Sequence, residues 1–292
     1  MSAKVQSVHQ LRREDVQPFL PLLDEWLLGD AFYGVQHTWP QLYRSDGEGA
    51  FFAIVEDGRL LSHCAYRRAT LHDGADAQEV VLLGSVATAP AARGRGLAGD
   101  VLEAALGSLG PDVSAALLWA ERPALYARQG FVPTSADDCL LLSRRPRRAQ
   151  PGVRLATVDD HAALHALHER KPRRVGRSRR TMSTLLSTPG MTTIVYERDG
   201  APVAYACTGK GADLQGHWHD LGGDDEDLAR LLPAAMHLTG QTEAALLLPP
   251  YRAELARHLS DHVVGTAPVP GPMRWGRTPR PGPCWIDGLD SV

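Results

Sequence analysis

The residues of this sequence best suited to chemistry lie between Gly84 and Leu106, in GSVATAPAARGRGLAGDVLEAAL. Gly94, Gly96 and Gly99 are spaced G-x-G-x-x-G, with Arg93 and Arg95 among them. Glycines ahead of a helix let the main chain approach a ligand closely. The helix start adds unpaired N–H groups and a positive dipole end. That chemistry suits an anion, above all a phosphate. The spacing also matches the dinucleotide fingerprint, and Glu121 stands about 20 residues on, where such a fold places its ribose-binding acid. Three features oppose a dinucleotide. Ala89 to Arg93 separate the strand from the first glycine, a helix and a hairpin precede the loop, and no further βα units extend a parallel sheet after it. The Gly-Lys-Ser/Thr ending of a triphosphate-binding loop is missing as well.

Periodicity identifies the elements that must position this loop. From residue 5 the chain reads as a short strand and an amphipathic helix, with Val16, Phe19, Leu20, Leu23 and Leu27 at helical spacing. Ala50 to Leu71 reads as a hairpin turning at Asp57-Gly58. Glu79 to Thr88 is apolar on both faces, as a central buried strand is. After the loop, Leu97, Val101, Leu102, Ala105, Leu106 and Leu109 form a helical stripe. Ser114 to Ala120 is a second buried strand, and Pro123 to Phe131 a short helix ended by Gly130.

From residue 152 the same order begins again, with a second hairpin turning at Asp199-Gly200. Two unrelated domains would not share such an order. The expected fold is α/β (α+β). Two tandem domains, residues 1–148 and 149–292, each carry a mixed, mostly antiparallel sheet flanked by helices. The boundary lies in the linker RRPRRAQPG. The second copy of the loop, GGDDEDLA, carries four consecutive acids, Asp224 to Asp227, which repel a phosphate. Only the first loop is expected to bind an anion.

Composition excludes several classes. The formal net charge is −3 and neither half is basic, so no nucleic-acid partner is expected. No apolar run approaches the ~20 residues that span a bilayer. The opening MSAKVQSVHQLRREDVQ has no signal-peptide core. A cytoplasmic protein without a membrane partner is the expectation. Cys64, Cys139, Cys207 and Cys284 are far apart, and His161, His165 and His168 share a helix face without a carboxylate, so no metal is expected. The run RKPRRVGRSRR, Arg170 to Arg180, is expected to be a solvated helix end and loop.

Val86-Ala87-Thr88 followed by Arg93-Gly94-Arg95-Gly96-Leu97-Ala98 resembles motif A of the GNAT superfamily of N-acetyltransferases, R/Q-x-x-G-x-G/A after a strand. Leu125-Tyr126-Ala127-Arg128-Gln129-Gly130-Phe131 resembles that family's L-Y-x-x-x-G-F. The likeness is clear over roughly residues 50–133. It implies acetyl-CoA as cofactor, with amides from Arg95 through Gly96, Leu97 and Ala98 to Gly99 around the pyrophosphate. Arg93 and Gly94 would shape the turn. Val86, Ala87 and Thr88 would pair edge-on with the pantetheine, in a gap opened by splaying from Ser114–Ala120. The N–H of Val86 or Ala87 would face the oxyanion, and the Tyr126 hydroxyl would protonate the leaving thiolate.

No base is evident. Val80 to Leu83 occupy the stretch where many members carry a glutamate. That leaves Glu79, acting through water, or the carboxylate of Val292, since some multidomain relatives of the Eis type bring a terminal carboxylate to the active site. Residues 29–39, with Asp30, Phe32, Tyr33 and Trp39, read either as the acceptor wall or as aromatic packing beneath a loop. The resemblance implies acetyl transfer to a primary amine of a small molecule or peptide by direct attack on the thioester; a monomer or homodimer is expected. The competing reading is a non-enzymatic acyl-CoA-binding regulator or scaffold.

Overall fold

Both expected hairpin turns form, and each needs two left-handed residues in succession. Asp57 and Gly58 have φ of 50° and 73°, Asp199 and Gly200 of 54° and 78°. Turns of this hand match the twist of the strands they join. The computed structural model describes residues 7–134, 136–145, 150–211, 213–276 and 285–292.

The first half gives β1 (His9–Leu11), α1 (Arg13–Val16), α2 (Leu20–Leu28), α3 (Val35–Thr38), α4 (Pro40–Tyr43), β2 (Ala50–Glu56), β3 (Arg59–Asp73), β4 (Asp76–Thr88), α5 (Leu97–Gly107), β5 (Ala115–Leu118), α6 (Pro123–Ala127), β6 (Val132–Pro133) and β7 (Ala136–Ser143). The second gives β8 (Val153–Leu155), α7 (His161–Glu169), β9 (Arg173–Val175), α8 (Arg179–Leu186), β10 (Thr192–Arg198), β11 (Ala201–Thr208), β12 (His217–Gly223), α9 (Asp225–Leu238), β13 (Glu243–Leu248), α10 (Ala253–His258), β14 (Val263–Pro270) and β15 (Met273–Gly276).

Two sheets result. Their orders are β1-β2-β3-β4-β5-β15-β6, with β9 added on β3, and β14-β7-β13-β12-β11-β10-β8. In each, one central pair is parallel, β4 with β5 and β12 with β13, and the other pairs are antiparallel. Helix α5 buries Val101, Leu102, Ala105 and Leu106 against Val81 and Leu83 on one face of the first sheet. Residues of α1, α2 and α4 bury Val16, Leu20, Leu23 and Leu42 on the other.

The sheets do not divide at residue 148. The expected boundary itself lies outside the described residues, but strands cross it in both directions. Strand β7 sits in the second sheet between β13 and β14, and β15 sits in the first between β5 and β6. Each exchanged strand buries apolar side chains in its host, Leu140 and Leu142 in one core and Met273 in the other.

The basic run is not a solvated loop. Arg173–Val175 pairs with Leu71–Asp73 of β3, and the side chains of Lys171 and Arg177 are almost wholly buried in ion pairs. The partner acids, Asp220, Asp287 and Asp290, lie more than 40 residues away in the chain, beyond the reach of local reading. Among the described residues no helix is long and apolar enough to cross a membrane.

Candidate active site

Strands β4 and β5 part where motif A begins. They pair only from Val80–Leu82 to Ala115–Leu117. Strand β5 then ends at Leu118, while β4 continues to Thr88. On its other side β4 is bulged against β3, the register slipping between His63–Ala87 and Ala65–Gly84. Ser85 takes up the slip with φ 53°, a conformation that costs a non-glycine residue about 1–3 kcal/mol. Two buried side chains hold it there. The Tyr43 hydroxyl hydrogen-bonds Ser85 Oγ, and His63 Nδ1 lies 3.0 Å from the Ser85 carbonyl. Burial lowers the His63 pKa to about 4, so the ring is neutral and Nδ1–H donates. Nε2 has no partner among the described residues.

The glycine loop follows. Gly94 and Gly96 have φ of 79° and 83°, and Gly96 is the residue preceding α5. Among the described residues, none accepts from the amides of Gly94, Arg95, Gly96, Leu97 or Ala98. The Gly99 amide is already used, donating to Gly96 O at 2.8 Å, and a Cβ there would meet Gln129 Nε2 at 3.0 Å. Gly99 therefore serves helix geometry and close packing rather than supplying a donor. Arg93 Nε donates to Thr88 O at 3.3 Å, tying the loop to the end of β4. At the corresponding place in the second sheet, Arg252 donates to Gly223 O at 3.0 Å and to Asp225, while Asp227 pairs with Arg198 and Arg230. That helix start is filled by the protein's own charges.

Tyr126 lies on α6, on the β5 side of the gap. Its ring meets Phe131 edge-on at 6.1 Å and packs against the core under α5 that contains Cys64. Burial, with Cys64 and Glu121 adding, pushes its pKa up to about 12, so the hydroxyl keeps its proton throughout the neutral range. Val292 lies on the opposite face of the sheet, against the core under α1–α4. A Cβ placed on Gly84 would overlap the Val292 main-chain carbonyl. Tyr126 and Val292 thus flank the opening strands from two sides.

The remaining expected residues scatter. Glu79 stands at the far end of β4, five residues from Gly84, about 17 Å along an extended strand. It accepts from Thr70 Oγ1 at 2.6 Å. Asp30 is exposed, and Phe32 is 91% exposed. Tyr33 stacks edge-on against Phe32 and reaches Gly190 of the second half. Trp39 packs into the core under α1–α4. Asp24 Oδ1 accepts the Val35 amide at 2.7 Å and so fixes this loop, and a Cβ on Gly34 would collide with that carboxylate. A cleft of about 610 Å³ opens between α1, α3–α4 and the end of α8, lined by Glu14, Gln36, His37, Tyr43, Arg44 and Thr188 among others.

The tail bearing Val292 is held by groups that sequence reading missed. Asp290 is fully buried and accepts from Arg177 at 2.6 Å and from Arg67 of β3 at 3.0 Å. Lys171 bridges Asp220 and Asp287 at 2.6 and 2.8 Å. His168 approaches the same two acids, and the Lys171 ammonium supplies their cation. Ile286 is buried in the first half and Leu289 in the second.

Two sheets, each with one splayed parallel pair at its centre, define a tandem GNAT fold, and solved structures share it. A protein of Enterococcus faecalis V583, whose name gives it as a probable N-acyltransferase, is similar over 94% of this chain and 73% of its own, with TM-score 0.73 and 13% identity. A GCN5-related N-acetyltransferase from Kribbella flavida is similar over 92% and 71%, with TM-score 0.67 and 15% identity. Eis1 from Mycobacterium abscessus is similar over 93% and 73%, with TM-score 0.63 and 14% identity. At such identities the likeness speaks for the fold alone. In sequence, residues 7–134 match the acetyltransferase (GNAT) domain. No curated protein matches the chain.

Proposed function

We propose that the chain is an acetyl-CoA-dependent N-acetyltransferase acting on a primary amine of a small molecule or peptide, with its reaction centre in the first half. The observation that carries this is the row of unpartnered amides from Gly94 to Ala98 at the head of α5, beside the gap between β4 and β5. Acetyl-CoA supplies an activated acetyl thioester. The amides would hold its pyrophosphate, as a helix start holds an anion. The free edge of Val86 to Thr88 would align its amide arm. Tyr126 on one face would donate toward the sulfur as negative charge develops there. The Val292 carboxylate on the other face would take the proton the amine loses on bonding to carbon. The acceptor would enter by the cleft between the halves, past Tyr33 and His37. The second half has no cofactor of its own in this reading, because its own arginines and acids fill the corresponding loop.

The test has two parts. Titrated calorimetrically, CoA should bind one per chain, and Gly96→Val, which forces a β-branched residue into a left-handed position, should abolish that binding. Incubated with acetyl-CoA and a panel of primary amines, the protein should release free thiol above the rate of hydrolysis. CoA binding without amine-dependent release would instead favour a non-enzymatic CoA-binding regulator.

A substitution at Gly84 separates the tail from the cofactor loop. Its φ is ordinary, so alanine fits the strand, but the added methyl would displace the Val292 carboxylate. Gly84→Ala should lower kcat by about 10²-fold, the cost of a displacement of about 1 Å at a reacting group, with CoA affinity unchanged. Wild-type turnover would detach Val292 from the reaction.

A further inference from the structure

A lysine is buried at the joint between the two halves and, among the described residues, has no carboxylate as a hydrogen-bond partner. Lys210 is 1% exposed. It is turned inward between two left-handed glycines, Gly209 at φ 79° and Gly211 at φ 60°. A Cβ on Gly209 would lie 2.7 Å from Gly190 O, and one on Gly211 would lie 3.1 Å from Thr38 of α3, so larger residues would push this loop off its neighbours in both halves. Among the described residues the ammonium donates only to oxygens of the tail: Gly288 O at 3.1 Å, Leu289 O at 3.1 Å, Ser291 O at 2.5 Å and Ser291 Oγ at 3.1 Å. Gly288 O also accepts from the Ser291 amide at 3.2 Å and from Ser291 Oγ at 2.7 Å, so the ammonium adds to the turn's own bonds. Ser291 is the residue before Val292.

Burying a charge without a counter-charge in contact is expensive. Burial draws the Lys210 pKa down to about 7, against Asp213 and Asp290, which raise it, while Arg67 and Arg177 lower it further. An apolar side chain would fill the space at lower cost. It would not fix the tail along its own axis. Four oxygens converging on one ammonium set both the depth and the rotation of the last turn.

We infer that Lys210 is a positioning residue, and that the second half serves the reaction by holding the tail in one register so that Val292 stays at Gly84. The inference rests on the reading of Val292 as the base. Asp290, clamped by Arg177 from the second half and Arg67 from the first, anchors the same turn from its other side. In this role the second half contributes a grip on the tail rather than a cofactor site.

The test is a double-mutant cycle in the full chain between Lys210→Met and deletion of Val292, read as kcat, KM for acetyl-CoA and thermal melting. Lys210→Met leaves no carboxylate stripped of a bonded partner, so folding should persist. The expected result is a fall in kcat of about tenfold or more, an unchanged KM for acetyl-CoA, and no further fall when Lys210→Met is added to the chain lacking Val292. Wild-type kcat in Lys210→Met, or an equal fall in both backgrounds, would overturn the positioning role. Full activity after deletion of Val292 would remove the base reading and this inference with it. A loss on deletion without a loss in Lys210→Met would sink only the latter. Should Lys210→Met not fold, Lys210→Gln, which keeps a donor on a shorter arm, is expected to show the same pattern, and wild-type kcat there would equally refute the role.

Discussion

Tyr126→Phe should lower turnover by about 10²–10⁴-fold and leave both CoA affinity and stability in place. The substitution removes one oxygen. The phenyl ring keeps its edge-on contact with Phe131 and its place in the core beneath α5. What is lost is the hydroxyl proposed as donor to the leaving sulfur. With its pKa pushed up to about 12, the hydroxyl is protonated at every pH at which the acceptor amine changes state. Turnover of the wild type should therefore rise as the amine deprotonates and show no fall from Tyr126 until about pH 11, roughly a unit below that value. The measurement is steady-state kinetics with an accepted amine across that range, for both proteins. Unchanged kcat in Tyr126→Phe would remove the residue from the mechanism.

Deletion of Val292 should have an effect of similar size. The carboxylate would move to Ser291, about one strand residue or 3.3 Å away, and no longer face Gly84. An amine becomes strongly acidic only once it has bonded to the acetyl carbon, so a weak base suffices if it is correctly placed. Position outweighs basicity here, and a shift of one residue should cost about 10²-fold or more in kcat. Appending one glycine after Val292 should cost as much. Removing the last four residues should cost activity and stability together, because Asp290 leaves with them, the buried Arg67 loses its carboxylate and Arg177 keeps only Asp220. Breaking a buried pair in this way costs about 3–5 kcal/mol. Calorimetric binding of CoA to the chain lacking only Val292 should match the wild type, and a parallel loss of binding would assign the tail to the cofactor instead.

Sequence by itself determined the local elements and the motif they carry. Apolar periodicity set strand β4, helix α5 and their counterparts, paired turn residues set both hairpins, and the glycines and Arg93 set the loop between. These are short-range properties, encoded within about ten residues of where they act. Only the tertiary structure decided the rest. The exchange of β7 and β15 depends on which sheet offers an open edge, which no window of sequence records. The strain at Ser85 is visible only with Tyr43 and His63 folded over it. RKPRRVGRSRR read as a solvated run because its acids, Asp220, Asp287 and Asp290, are distant in the chain, and burial turned surface charge into an interior clamp. On paper Glu79 and Val292 were both open as the base. A strand's rise takes Glu79 to the far end of β4, while a tail gripped from both halves brings Val292 against Gly84. Motifs lie along the chain, whereas the contact of a distant tail with the middle of one strand exists only once both halves have packed.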